Sequence, residues 1–218
     1  MLKMLYRRVK RFIDIVISLF LLILLSPLLL IISLLIKIED GGSVFAEKPL
    51  RIGLRGKEFF MYKFRTMIPN AYNEIHNNSS NADIKKEMIK NGMKIPLSER
   101  KIYTKIGIFL RSCDLDELPQ LMNVLKGEMS LVGPRPSYQL ELDEHYKKYP
   151  MDKKLLERIL TIRPGITGVW QVSGRNSIPL HARFLMDSKY CQYYNLFTDT
   201  KILLLTPYVV LTRKGVYE

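Results

Sequence analysis

Within the stretch RSCDLDELPQLMNVLKGEMSLVGPRP, Arg111 to Pro136, sit two adjacent carboxylates, Asp116 and Glu117. Side by side, two ionised acids repel each other unless a cation lies close. Arg111 could supply that charge, and so could a divalent ion. Mg²⁺ suits such a pair because it takes one or two carboxylates and fills its shell with water and substrate phosphates. Acids are also ordinary in a first helical turn, so the pair alone fixes no function.

The element expected to position the pair is a helix opening at Asp114, with Asp114 as its cap and Glu117 completing a capping box. Leu115, Leu118, Leu121, Met122 and Leu125 recur at helical spacing and define a buried face, while Asp116 and Glu117 fall off it. Pro119 comes early enough to be tolerated, Gly127 ends the helix, and the helix N-terminus favours ionised carboxylates.

Cations recur at stiff or glycine-rich places. Arg135 is held between Pro134 and Pro136, which present one guanidinium for bidentate phosphate contact or base stacking, unless the turn is merely structural. LRIGL and EFFMYKFRTM flank Arg55-Gly56-Lys57 and predict a β-hairpin. Along its second arm Phe60, Tyr62 and Phe64 share one face and Lys63 and Arg65 the other, either an anion contact or a solvated face. In RPGITGVWQVSGRN, Gly165, Gly168 and Gly174 bring Arg163, Gln171 and Arg175 within reach of an anion, although no Walker or Rossmann spacing is present.

Residues 15 to 36 carry no charge, and at ~1.5 Å per residue they would just span a bilayer core as a straight helix. Lys3, Arg7, Arg8, Lys10 and Arg11 precede this run, and no small-residue cleavage site follows it, so it is expected to be a retained anchor. Both the N-terminal cluster and the body after Lys37 are basic, and a single span would put one of them outside. Ser26-Pro27 breaks the run near its middle. A re-entrant helix keeps both basic ends on the cytoplasmic side; a bent full span and a buried soluble helix remain as alternatives. TKILLLTPYVVLTRKG is too short to span and reads as an interfacial helix or a core helix.

The 218 residues suggest one body, residues 41–218, behind a membrane-embedded segment, residues 1–40. The fold class expected is α+β and mostly helical, with a small hairpin and interfacial amphipathic helices. With 34 Lys+Arg against 21 Asp+Glu the net charge is +13, which suits phosphate-bearing partners and membrane lipid. A nucleic-acid partner is not expected, since charge alone supports it and no recognition motif accompanies the charge. Cys113 and Cys191 lack metal or redox spacing, and His76, His145 and His181 are isolated along the chain, which argues against zinc. AYNEIH and DIKKEMIK read as short helices around the polar linker NNSSNAD and carry no assigned chemistry.

KRFIDIVIS, the Ser-Pro break, YKFRTM, DELPQLMNVLKGEMSLVGPRP and RPGITGVWQVSGRN follow one another in an order that closely resembles the bacterial sugar transferase family. These are monotopic phosphoglycosyl transferases, and the resemblance, to the short form, runs from about Arg8 to Arg213. It implies transfer of a sugar 1-phosphate from a UDP-sugar to undecaprenyl (polyprenyl) phosphate, with release of UMP, on the cytoplasmic face of the bacterial inner membrane. It implies Asp116 as nucleophile, Glu117 with Asp116 as the Mg²⁺ site, and Lys63, Arg111 and Arg175 with nearby Gln171 as phosphate-binding groups. Pro134, Arg135 and Pro136 are associated with the uridine nucleotide, and the Ser26-Pro27 helix is re-entrant. One departure is Glu99-Arg100-Lys101, where members often carry an Asp-Pro-Arg-like run.

Overall fold

The computed structural model of the chain describes residues 2–47, 50–71, 75, 95 and 99–212. The apolar N-terminal run forms two helices, α1 (Leu2–Leu24) and α2 (Ser26–Asp40), bent by 61° at their junction. Pro27 has no N–H for the carbonyl of Ile23; the Ser26 hydroxyl donates to that carbonyl instead, at 2.8 Å. Neither helix alone is long and apolar enough to cross a membrane, whereas the bent pair together is, as a broken span or a re-entrant loop. Phe12, Ile23, Leu30, Leu34 and Ile38 project from the pair with most of their surface exposed.

The other side of α1 is fastened to the body by polar groups. Arg11 donates to the carbonyls of Val124 (2.5 Å) and Leu125 (2.9 Å), at the end of α4 (Gln120–Lys126), where a helix leaves carbonyls unpaired. Asp14 accepts from the Ser130 hydroxyl and the Leu131 N–H of β3 (Ser130–Val132). α2 docks through Ile32 and Ile36 on Phe64 and Leu110.

The body is mostly helical with two small sheets, an α+β arrangement as expected. The hairpin pairs β1 (Leu50–Ile52) with β2 (Glu58–Phe60), Arg51 lying opposite Phe59. After it come α3 (Lys105–Ser112) and a 3₁₀ turn at Leu115–Glu117 that leads into α4. β3 pairs in parallel with β4 (Gly165–Thr167), so the chain must cross over, which it does through α5 (Gln139–Lys148) and α6 (Lys153–Ile159). α7 (Val169–Ser173), α8 (Leu180–Tyr193) and α9 (Leu196–Thr212) complete the body. Leu121, Leu131, Val132, Tyr190, Cys191 and Ile202 form the core behind the parallel pair.

Several expectations change at this level. The helix does not open at Asp114: Asp114 takes a left-handed conformation (φ 56°) and makes no side-chain cap. Pro119 cannot donate, and the α-helix begins only after it, at Gln120. Gly127 does end it, at φ 82°. The fully buried face of α4 is Gln120, Leu121, Asn123 and Val124, not the leucine stripe, because Asn123 must reach inward. Its side chain accepts from the Tyr62 N–H and donates to the Phe60 carbonyl.

Gly165 and Gly168 serve backbone packing: a Cβ on either would meet Gly133 backbone atoms at 2.1 Å. Arg163 donates to the Gly127 carbonyl rather than facing an anion. Both readings of the C-terminal helix hold in part, since α9 buries Ile202 and Val209 and exposes Phe197, Leu204, Tyr208 and Leu211. The basic end at Arg213 and Lys214, the DIKKEMIK helix and most of AYNEIH lie outside the described residues. His145 and His181 are not isolated in space: both reach Asp152.

Candidate active site

A cavity of about 560 Å³ runs through the body. Its apolar lining includes Leu21 and Leu25 of the bend and Leu203, Pro207 and Val210 of α9. Its polar lining includes Lys63, Arg111, Asp116, Glu117, Arg135, Gln171 and Arg175. Residues distant in sequence thus line one cavity together with the acid pair.

Asp116 is buried, contrary to its expected place on the outer face of a helix. The 3₁₀ turn rotates its side chain inward, and its carbonyl accepts from the Phe64 N–H at 3.0 Å, fixing the turn to the segment after β2 that carries Lys63. Lys63 Nζ lies 2.5 Å from Glu117 Oε1 and 3.6 Å from Asp116 Oδ2, bridging the pair. Burial raises the Asp116 carboxyl above its ordinary range; Lys63 and Arg111 oppose this, and Glu117 adds to it. The helix N-terminus invoked from sequence is not there to help.

Arg65 is buried and Lys63 is half-buried, so neither lies on a solvated face. Arg65 is not an anion contact: Asp40, at the end of α2, takes both its terminal nitrogens. Arg111 stacks over Tyr103 at 5.0 Å and donates to the Ile95 carbonyl. Arg135 lies over Trp170 at 5.2 Å, and its backbone N–H is received by Asp187. Pro134 and Pro136 are buried beneath it and do not line this cavity. Arg175, in a left-handed conformation after Gly174, donates to Asp114 at 2.6 Å. Asp114, expected as a cap, therefore holds a cation of the site.

Three lining side chains went unnoticed in the sequence: Arg51, Tyr138 and Trp170. Arg51 is buried with its guanidinium 3.0 Å above the Tyr138 ring, and burial lowers it to about 9, so it stays charged at neutral pH. The hairpin register was the available signal, because a residue opposite the inward Phe59 must also face in. Among the described residues, Arg51 Nε and Nη1, Arg175 Nη1 and both amide atoms of Gln171 are buried without hydrogen-bond partners. Buried donors are normally satisfied, so this cluster calls for a ligand rich in acceptor oxygens. Asp116 and Glu117 are the oxygens able to hold a hard divalent ion. The desolvated Asp116 would be kept ionised by one.

Fold and site together define a protein with a bent apolar helix pair and a cavity lined by both cationic and apolar side chains. The profile of the bacterial sugar transferase family matches residues 5–213, and the chain belongs to that family. It is 39% identical over 211 residues to the undecaprenyl-phosphate galactose phosphotransferase of Salmonella typhimurium, covering 97% of this chain and 42% of that one. The exopolysaccharide production protein ExoY of Sinorhizobium fredii is 38% identical over 208 residues, covering 95% of this chain and 88% of the relative. The UDP-galactose-lipid carrier transferase of Erwinia amylovora is 36% identical over 211 residues, with 97% and 42% covered. The chain thus spans less than half the length of two of these relatives and most of the third.

Proposed function

We propose that this chain transfers a sugar 1-phosphate from a UDP-sugar to undecaprenyl phosphate, releasing UMP, as the first membrane step of a bacterial polysaccharide. Residues 1–40 are its membrane-embedded part, re-entrant at Ser26-Pro27, and residues 41–218 its catalytic part on the cytoplasmic face of the inner membrane. The observation that carries this reading is one cavity lined both by Asp116, Glu117 and the cations with their partnerless buried donors and by apolar residues of the α1–α2 bend and α9. The polar groups suit the phosphates of a nucleotide sugar, and the apolar ones suit the chain of a lipid phosphate.

Asp116 attacks the phosphorus next to the sugar. An aspartyl oxygen–phosphorus bond forms, the diphosphate bridge breaks, and the bridging oxygen leaves with UMP. An oxygen of the lipid phosphate then attacks the same phosphorus and frees the aspartate. Lys63, Arg111, Arg175 and Gln171 hold the phosphate oxygens, where fixed donors in a dry site stabilise developing charge. Arg135, on its stiff proline frame above Trp170, holds the nucleotide end. Glu117 with Asp116 would hold Mg²⁺, which neutralises phosphate charge when bound.

Asp116→Asn in the purified protein, supplied with a panel of UDP-sugars, Mg²⁺ and polyprenyl phosphate, is expected to release no UMP. Full activity in that variant would remove the nucleophile and the reading with it.

A further inference from the structure

Away from the cavity, three elements meet at a second group of potential ligands. His145, on α5, is almost wholly buried, and its Nε2 lies 2.9 Å from Asp152 Oδ2. His181, in the first turn of α8, sets its Nδ1 3.2 Å from the same oxygen. Asp152 sits in the 3₁₀ turn Pro150–Asp152 between α5 and α6. All three donor atoms lie within 4.8 Å of one another. We propose that His145, Asp152 and His181 form a site for a borderline divalent transition metal, Zn²⁺ above all, unconnected with the Mg²⁺-type chemistry at Asp116.

Ordinary hydrogen bonding accounts for only half of the cluster. The contact from His145 Nε2 has hydrogen-bond geometry, whereas His181 Nδ1, a buried atom, is close to the carboxylate yet not aligned to donate to it or to any other described group. Two ring nitrogens converging on one carboxylate oxygen is the arrangement a shared metal imposes. Zn–N and Zn–O bonds of about 2.0–2.1 Å in a tetrahedron put neighbouring donors about 3.3 Å apart, near the 2.9 and 3.2 Å found. Two imidazoles and one carboxylate select Zn²⁺, Co²⁺ or Ni²⁺ over Mg²⁺, which prefers oxygens.

The rings are held for the task. His145 lies edge-on to Phe184 at 4.6 Å, and Tyr149 stacks on His181 at 4.3 Å. The His181 side chain is about one-third exposed, although its Nδ1 is buried. A metal here would clamp α5 to α8, and both helices brace the Arg135 segment: Arg183 of α8 donates to Ser137 and Glu141, and Asp187 receives the Arg135 N–H.

Tag-free protein, stripped with chelator and returned to buffer with excess Mg²⁺ to occupy oxygen-only sites, is titrated with Zn²⁺ against a chromophoric chelator. One equivalent is expected to bind at micromolar affinity or better and to raise the melting temperature. His181→Ala and Asp152→Asn are each expected to weaken binding at least tenfold and to abolish the shift. Circular dichroism and metal-free melting establish that the variants fold. Zinc-edge X-ray absorption on the unaltered protein tests the ligands directly: nitrogen and oxygen neighbours with two imidazoles support the site, and sulfur neighbours from Cys113 or Cys191 overturn it. No uptake by the unaltered protein, or a full equivalent retained by His181→Ala, reduces the cluster to a hydrogen-bonded one and overturns it as well.

Discussion

Two buried carboxylates in this protein live under opposite conditions. Asp199, on α9, is met by Lys10 and by the hydroxyls of Tyr6 (2.5 Å) and Tyr190 (2.6 Å). Each of its oxygens is therefore spoken for, and α1, α8 and α9 are tied at one point. Asp116 is as deeply placed, yet its nearest cation among the described residues is Lys63 at 3.6 Å, and that amine sits closer to Glu117. Around it, Arg51, Arg175 and Gln171 keep buried atoms without partners. A buried ion with a full set of donors is a fastening; one left short among unpaired donors is held for something that arrives later. The fastening joins α1 to α8 and α9, and the under-served acid lines the cavity.

The largest effect that could break this contrast is kinetic. Asp116→Asn should lower UMP release by about 10³-fold or more while leaving the melting temperature no lower than before, since a neutral isostere relieves the cost of a desolvated charge. A fall in stability comparable to the loss of activity would make Asp116 structural, like Asp199. Asp199→Ala should do the reverse. It strands Lys10 and two tyrosine hydroxyls in a poorly solvated place and should cost about 3–5 kcal/mol in denaturant unfolding, the usual penalty for halving a buried ion pair. Activity per folded molecule should persist. A stable Asp199→Ala protein without activity would put Asp199 on the catalytic side of the comparison.

These differences explain what could be read in advance. The bend at Ser26-Pro27, the hairpin and the end of α4 at Gly127 were legible because proline, a turn dipeptide and a left-handed glycine act locally. So were the types of residue at the acid pair. The burial of Asp116 was not, because it depends on a 3₁₀ turn and on Phe64, which is brought from another element. Alternation left Lys63 and Arg65 as either an anion contact or a solvated face, and it could not separate the two: β2 ends at Phe60, and beyond it Arg65 is buried against Asp40 while Lys63 reaches the acid pair. Arg51 could have been found from the hairpin register, whereas the meeting of His145 with His181 needed the packing of α8 against the turn after α5, which no local pattern encodes.

A third buried acid sharpens the contrast through pH. Asp187 gives one oxygen to the Arg135 N–H and leaves the other without a partner, and burial, against Arg183 and Arg135, pushes its carboxyl up to about 7. In the unfolded chain it returns to an ordinary value of about 4. Between these values the folded protein holds a proton that the unfolded chain has released, so this group's contribution to stability falls as pH rises from about 4 to about 7 and is level above. Melting temperatures from pH 5 to pH 8 should show that decline, and Asp187→Asn, which keeps an acceptor for Arg135, should flatten it. An unchanged slope in the variant would mean that Asp187 is as well served as Asp199.

The smallest expected effect lies at the bend, where a polar group would be left short. The Ile23 carbonyl loses its helical partner to Pro27 and recovers one from the Ser26 hydroxyl. Ser26→Ala keeps the proline and removes the donor, and should cost about 1 kcal/mol in denaturant unfolding of the detergent-solubilised protein. Pro27→Ala restores an N–H for that carbonyl and makes Ser26 redundant, so the double variant should be no less stable than Pro27→Ala alone. If Ser26→Ala costs the same with and without Pro27, the hydroxyl does not stand in for the missing bond, and the bend must then be held by the docking of Ile32 and Ile36 on Phe64 and Leu110. That outcome would place the determinant of the membrane geometry in the body's core instead of in the Ser-Pro pair.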